Sequence, residues 1–377
     1  MRRRRASLGV MREPRPAPER IKGRGAGSNR EGRFELTSLE HVDDGWFRED
    51  GEAPPQPRTE VSEETARSVI SRNRSPDIPF EQSVNPYRGC EHGCVYCFAR
   101  PTHSYLGLSP GLDFETRIRA KTNAVERLRA ELAAPGYRCS PITLGINTDG
   151  WQPTERRLRL TRGLLQLLHD TRHPVSIVTK SALIERDLDL LAPMAAQNLV
   201  QVALSITTLD NRTAASLEPR ATAPHARLRT VRRLGEAGVP VSVIVAPVIP
   251  AVTDHELEAI LEQARQAGAH SAGYVLLRLP HEVAPLFREW LDLHHPERAA
   301  HVMSLVRQMR GGRDYDATFG RRMRGEGAFA DLLEQRFRIA RRRLGFGRLP
   351  ELDCGRFVPP RPPSPQGELF QGDRSLP

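Results

Sequence analysis

The sequence predicts an α/β protein built on a parallel sheet, and three observations carry that expectation. From about residue 75, short β-branched runs alternate with longer helical stretches. Six strand–helix units follow one another, an order that right-handed crossovers turn into a parallel sheet. The strand segments are near-continuous apolar runs, as expected where both faces of a sheet are covered. The pattern by itself fits either a doubly wound sheet or a barrel. In both, a functional site lies at the C-terminal ends of the strands.

Taken in order, Ser83–Tyr87 reads as the first strand and leads into a cysteine-rich loop. Phe114–Lys121 reads as an extended segment, and Asn123 as the cap of a helix over Ala124–Ala133. The second strand is Pro141–Asn147, with a helix over Glu155–His169. The third is Val175–Lys180, with a helix near Glu185–Ala195. The fourth is Leu199–Ile206, and its helix spans Pro224–Ala237 before Gly238 and Pro240 stop it. The fifth is Val241–Ala246, with a helix over Asp254–Ala267 whose apolar face is Leu257, Ile260, Leu261 and Ala264. Ala272–Leu279 is the sixth strand, and helices continue from His281 to about Gly345. Before the first strand, a short helix is expected near Glu63–Arg72.

These elements divide the chain into a disordered basic tail and linker over 1–60, a core over 61–280, a helical extension over 281–345 and a disordered tail over 346–377. An apolar content of 38%, below the globular norm, supports disorder at the ends. The net charge of +10 is concentrated there: residues 1–35 carry eleven Lys and Arg against four Glu, and residues 321–348 nine Arg against three acids. The remainder is slightly acidic, so a nucleic-acid reading gains little from the core. No run of eighteen apolar residues suggests a membrane span, and the basic N-terminus lacks the apolar stretch of a secretory signal. Five cysteines, three of them clustered, suggest a reducing cytoplasm rather than a disulfide framework.

The chemistry gathers in Arg88-Gly-Cys-Glu-His-Gly-Cys-Val-Tyr-Cys-Phe98, which places Cys90, Cys94 and Cys97 within eight residues. Iron–sulfur clusters normally take four cysteine thiolates. Three on a cubane leave one iron open, and an open metal position suits catalysis. Two alternatives stand beside this. Three cysteines with His92 or His103 would make a closed Cys3His zinc site, although zinc loops usually come as two separated pairs. The thiols could also be free.

The C-x3-C-x2-C spacing with Tyr96 before the last cysteine resembles the radical S-adenosylmethionine (SAM) superfamily. The longer run Asn85-Pro-Tyr-Arg-Gly-Cys-Glu-His-Gly-Cys-Val-Tyr-Cys-Phe-Ala-Arg-Pro-Thr-His103 is similar to its branch related to spore photoproduct lyase. The resemblance spans about residues 55–345 and implies a partial (β/α)6 barrel. It implies a 4Fe–4S cluster on Cys90, Cys94 and Cys97, with SAM chelated at the open iron and cleaved to a 5′-deoxyadenosyl radical. It also implies that Tyr96 lies against the adenine, Lys180 contacts the SAM carboxylate and Ser205 contacts SAM.

Other strand ends add candidates. Asn147-Thr-Asp-Gly-Trp-Gln-Pro-Thr-Glu155 follows the second strand, and Gly150-Trp151 stands where the branch usually has Pro-Tyr. Asp149, Gln152 and Glu155 remain, as cofactor contacts or as helix caps. Lys180 could form a plain salt bridge, and Ser205 could be a satisfied strand hydroxyl. Glu218-Pro-Arg220, Arg227 and Arg229 match the branch without a stated role. Phe98 and His103 are candidates to shape the pocket, and Arg278 to face the barrel mouth.

The lyase donates hydrogen from a further cysteine near the end of its second strand. Asn147–Asp149 has none, Cys139 lies before that strand, and Cys354 lies in the tail. The expected function is therefore a radical SAM enzyme that abstracts hydrogen from an unknown substrate. The alternatives are a DNA-lesion repair lyase and a non-turning zinc or cluster module. Expected partners are an electron donor such as flavodoxin or ferredoxin, and nucleic acid through the basic tail and C-terminal helix.

Overall fold

The computed structural model describes residues 20–34 and 57–361. Its strands are β1 (Glu60–Glu64), β2 (Ile70–Arg72), β3 (Gln82–Val84), β4 (Tyr87–Arg88), β5 (Arg117–Lys121), β6 (Ile142–Leu144), β7 (Val175–Thr179), β8 (Val200–Ser205), β9 (Val241–Val248) and β10 (Ser271–Leu276). Its helices are α1 (Asp113–Thr116), α2 (Ala124–Leu132), α3 (Glu155–Leu158), α4 (Leu160–Asp170), α5 (Leu188–Ala195) and α6 (Asn211–Leu217). They continue with α7 (Pro224–Glu236), α8 (Leu257–Gln266), α9 (Val283–His294), α10 (Ala299–Gln308), α11 (Arg321–Arg324) and α12 (Ala328–Arg343).

One sheet runs in the order β10-β9-β8-β7-β6-β3-β2. Six of its strands, β3 and β6 to β10, pair parallel in sequence order, and β2 covers the β3 edge antiparallel. No pairing joins β10 to β2 among the described residues, so the six parallel strands form an open, partial barrel. A small second sheet, β1-β5-β4, flanks the cysteine loop.

The strands are not covered equally on both faces. In β7, Val175, Ile177 and Thr179 are buried while Ser176 and Val178 are only partly so, and β8 and β9 repeat the alternation. The fully buried face meets the helices. Leu257, Ile260, Leu261 and Ala264 of α8 are all buried in that core, as their spacing required. The other face is only partly buried, and it carries Ser176, Gln201 and Ser242.

The helix expected near Glu63–Arg72 is corrected to two strands. The backbone of Glu60–Glu64 pairs with β5, and Val61 packs on Tyr87, Ile118 and Ala120. The amides of Val69 and Ile70 donate to the Glu131 carboxylate. Tertiary pairing here overrides a weak local helical pattern. The helix expected over Glu155–His169 is split at Arg159, whose φ of 52° is left-handed. The break lets the Glu155 carboxylate accept from the Thr161 and Arg162 amides, capping α4 from the preceding turn. Asn123 does not cap α2 with its side chain; its amide group instead exchanges two hydrogen bonds with the Ala66 backbone.

Both ends of the described chain differ from the unstructured tails that composition suggests. Residues 20–34 lie across the cysteine loop, where the Gly25 and Ala26 amides donate to Glu115 at 3.0 and 2.8 Å. Residues 346–361 run beneath the N-terminal ends of the strands, with Gly347 bonded to His270 and Asp353 to Asn198. The remaining parts of the expected tails, 1–19, 35–56 and 362–377, lie outside the described residues. The helical extension packs on the core: Phe287, Trp290 and Leu291 of α9 share an apolar cluster with Cys94, Val95 and Tyr96. Among the described residues no helix is long and apolar enough to cross a membrane.

Candidate active site

The loop after β4 turns sharply because Gly89 and Gly93 adopt φ of 80° and 69°. A side chain at Gly93 would stand 2.7 Å from Glu115 Oε2, so the position requires glycine twice over. Between and after these turns lie Cys90 and Cys94, both buried, and Cys97, partly buried. Backbone bonds from Cys90 to Phe114 (2.9 Å), Val95 to Leu217 (3.1 Å) and Cys97 to Cys94 (3.2 Å) fix the path.

The three thiols interact electrostatically. Burial pushes Cys90 well up, with Asp149, Cys94 and Cys97 adding to the shift and the Asp149 backbone amide opposing it. Burial and Glu218 push Cys94 up to about 12, against the pull of Lys180 and Arg227. Three neighbouring sulfurs of this kind ionise together only with strong positive charge among them, which bound metal supplies. The site therefore fits a cluster held by all three. A mononuclear zinc site fits poorly. Among the described residues no three Cys, His, Asp or Glu side chains converge on one ion. His92 Nδ1 faces Asp149 at 3.4 Å, and His103 Nε2 lies 3.0 Å from the Arg117 carbonyl. Each thiolate of a cubane takes its own iron, so nearness suffices without convergence.

Two buried ion pairs hold the loop from opposite sides. Arg100, fully buried, donates to the carbonyls of Gly93, Cys94, Pro110 and Gly111 at 2.8–3.1 Å and pairs with Glu115. On the other side Arg227 pairs with Glu218 and donates to the carbonyls of Thr222 (2.6 Å) and Ser205 (2.9 Å). Burial pushes the Glu218 carboxyl up, but Arg227 and Lys180 outweigh it and bring the group down to about 2. Glu218 accepts the Tyr96 hydroxyl, and Thr207 donates to it at 2.7 Å. Gln152 closes the ring of supports: it accepts from the Glu91 amide at 2.9 Å and donates to the Gly89 carbonyl at 3.3 Å.

The remaining candidates take distinct places. Asp149 is fully engaged with the chain, accepting from Thr179 Oγ1 (2.8 and 2.9 Å) and the amides of Lys180 (2.8 Å) and Trp151 (2.9 Å). It ties the ends of β6 and β7 together and holds the Lys180 main chain. The Lys180 ammonium lies 5.9 Å from the Tyr96 ring centre and makes no ion pair among the described residues. Tyr96 is buried, its hydroxyl pinned by Glu218, its ring beside Lys180. The Ser205 hydroxyl donates to the Ala246 carbonyl at 3.0 Å, the satisfied strand hydroxyl weighed above, with acceptor capacity left over. Glu155 anchors β4 to α4 by accepting from Tyr87, and Trp151 Nε1 donates to Asp187 at 2.8 Å. His103 is turned away, edge-on to Phe114 at 5.3 Å. Phe98 is exposed, and the Arg278 guanidinium lies 5.0 Å from its ring centre. Arg278 follows β10, and its nitrogens reach Met323 and Tyr315.

Sequence reasoning left Arg100 and Glu115 without roles, and Glu218 and Arg227 as a signature of unstated purpose. A charged residue beside a metal-binding loop was the available signal. Burial and partners, which define these roles, appear only in the fold.

The sequence profile of the Radical SAM superfamily matches residues 84–264, from the end of β3 into α8. Uncharacterized proteins of Mycobacterium tuberculosis and Mycobacterium bovis are 40% identical over 233 residues, which cover 61% of this chain and 68% of theirs. An uncharacterized protein of Methanocaldococcus jannaschii is 25% identical over 199 residues, 53% of this chain and 71% of its own. Among solved structures, spore photoproduct lyase complexed with dinucleoside spore photoproduct superposes with a TM-score of 0.52 at 16% identity, covering 75% of this chain and 79% of the lyase. At that identity the likeness is one of fold. Profile, relatives and fold agree with the cysteine loop on which the reading began: the chain belongs to the radical SAM superfamily.

Proposed function

We propose that the protein is an enzyme that holds a 4Fe–4S cluster on Cys90, Cys94 and Cys97, binds SAM beside it, and uses reductive SAM cleavage to abstract hydrogen from a substrate at the barrel mouth. The observation that carries this is three mutually interacting thiols at the C-terminal end of the sheet, beside the Lys180 ammonium, which makes no direct ion pair among the described residues. When bound, the cluster supplies one electron to the SAM sulfonium, releasing methionine and a 5′-deoxyadenosyl radical.

The chain supplies position and charge. Lys180 offers an ammonium to the SAM carboxylate, since among the described residues no carboxylate is in direct ion-pair contact with it. Asp149 fixes the Lys180 main chain, so the ammonium starts from a defined point. Tyr96 forms a wall held still by Glu218, and Ser205 leaves an acceptor at the end of β8. Arg278 and Phe98 flank the approach to the loop and suit a substrate with an anionic or π-bearing group. A flavodoxin or ferredoxin is the proposed electron donor. DNA-lesion repair has less support: Asn147–Asp149 offers no donor cysteine, and Arg336 and Arg343 of α12 are already paired with Glu258 and Glu262.

Anaerobic reconstitution followed by SAM and dithionite tests the proposal. The expected result is iron and sulfide bound by the three cysteines and formation of 5′-deoxyadenosine. One zinc per chain with no iron, or iron-loaded protein that leaves SAM intact, overturns it.

A further inference from the structure

Two cysteines remain outside the cluster loop, and the fold brings them together. Cys139 lies just before β6, at the end of the sheet opposite the site. Cys354 opens a one-turn 3-10 helix in the C-terminal strap, with the Asp353 carboxylate accepting from the Gly355 amide at 2.9 Å.

The strap is fixed along the strand starts. The Gly347 amide bonds to His270 (2.9 Å) below β10, Asp353 to Asn198 (2.9 Å) below β8, and Val358 to Thr171 (2.9 Å) ahead of β7. Phe357 packs edge-on against Tyr137 and His173, with ring centres 5.6 and 5.0 Å away. These contacts set residue 354 against residues 137–139, where the Cys139 and Cys354 thiols are close enough to interact electrostatically. Both are free thiols and both are partly buried, so small reagents reach them. Both lie at the end of the sheet opposite the cysteine loop.

We propose that Cys139 and Cys354 are a thiol–disulfide site that locks the C-terminal strap across the base of the barrel. The oxidant is a low-molecular-weight disulfide. One cysteine thiolate attacks a sulfur of that disulfide, forming a mixed disulfide and expelling one thiolate. The second cysteine then attacks the protein sulfur of the mixed disulfide and expels the other thiolate. The two cysteines lose two electrons and two protons, and the reagent leaves as two thiols. Burial and the neighbouring Cys354 hold the Cys139 thiol up to about 12, so exchange accelerates as pH rises. Reduction by excess dithiol reverses the reaction and frees the strap.

The experiment uses the full-length, cluster-loaded chain under anaerobic conditions, equilibrated with oxidised glutathione, alkylated and digested with trypsin without reduction. The expected product is peptide 139–156 joined to peptide 349–356, lost on adding dithiothreitol and absent in Cys354→Ser. Cleavage after Arg348 and Arg356 should also slow several-fold on oxidation in the natural chain but not in the variant. Recovery of both cysteines as free thiols, or as separate glutathione adducts, in excess oxidant overturns the proposal. So does cross-linking of Cys139 to a cysteine of the cluster loop. The readout is a covalent mass, so it stands or falls separately from SAM cleavage.

Discussion

Glu218 is ionised inside the protein because two cations face it, and that fact makes it a sensitive probe. Glu218→Gln removes the charge that balances buried Arg227 and loosens the Tyr96 hydroxyl. Breaking a buried pair in this way costs about 3–5 kcal/mol, so urea denaturation should show a loss of that order. With a carboxyl held down to about 2, the pair's contribution is present above the ordinary carboxylate range, near 4.5, and is lost as pH falls toward 2. Lys180, the second of those cations, makes no direct ion pair among the described residues. Lys180→Met should leave iron content unchanged and weaken SAM binding roughly 10- to 100-fold, the worth of one charged hydrogen bond. Isothermal titration of the cluster-loaded protein reads this directly, and unchanged affinity would remove Lys180 from the site. Replacing any one of Cys90, Cys94 and Cys97 by Ser should reduce both bound iron and 5′-deoxyadenosine to background.

At the scale of elements, the strands were legible because each is a short apolar run between polar stops, and burial by helices demands such runs. The six parallel strands match the expected ones to within a few residues at either end. Helix interruptions were not legible. The left-handed Arg159 and the 3-10 turn over 182–187 follow from carboxylate and hydroxyl caps that arrive from elsewhere in the fold or from the turn itself. The segment 20–34 was likewise hidden. Its charge reads as a solvated tail, yet Glu115 accepts its amides and Gly25 meets the cysteine loop backbone. A Cβ on Gly25 would stand 1.8 Å from the Gly93 carbonyl oxygen. Gly25→Ala should therefore displace residues 20–34 without unfolding the core. Hydrogen exchange at residues 93–97 should rise several-fold while α8 and β9 stay protected, and unchanged exchange would show that the segment does not brace the loop.

At the scale of the molecule, the two ends of the barrel divide the work. The C-terminal ends of the strands carry the cysteine loop, Asp149, Lys180 and Arg278; the N-terminal ends are closed by the strap. His173 lies under that strap, buried, with its Nε2 2.7 Å from the Tyr137 hydroxyl and Phe357 against its ring. Burial lowers it to about 4 from its ordinary 6.5. Below pH 6.5 the unfolded chain takes up this proton first, so stability falls as pH drops from 6.5 to 4 and then levels. The full effect is about 3 kcal/mol. Denaturation midpoints of the natural chain and His173→Gln across that window should converge as pH falls; parallel curves would show that His173 is not the group responsible.

The sequence by itself determined the succession of the six parallel strands and the close spacing of three cysteines, because apolar period and cysteine spacing are local properties; the partial barrel came with the family resemblance. Only the tertiary structure decided that Asp149 braces the Lys180 main chain, that Arg100 and Arg227 hold the loop, and that Cys139 lies beside Cys354. Each of those depends on which distant groups share a buried space, and a linear pattern of residues does not encode burial or partner.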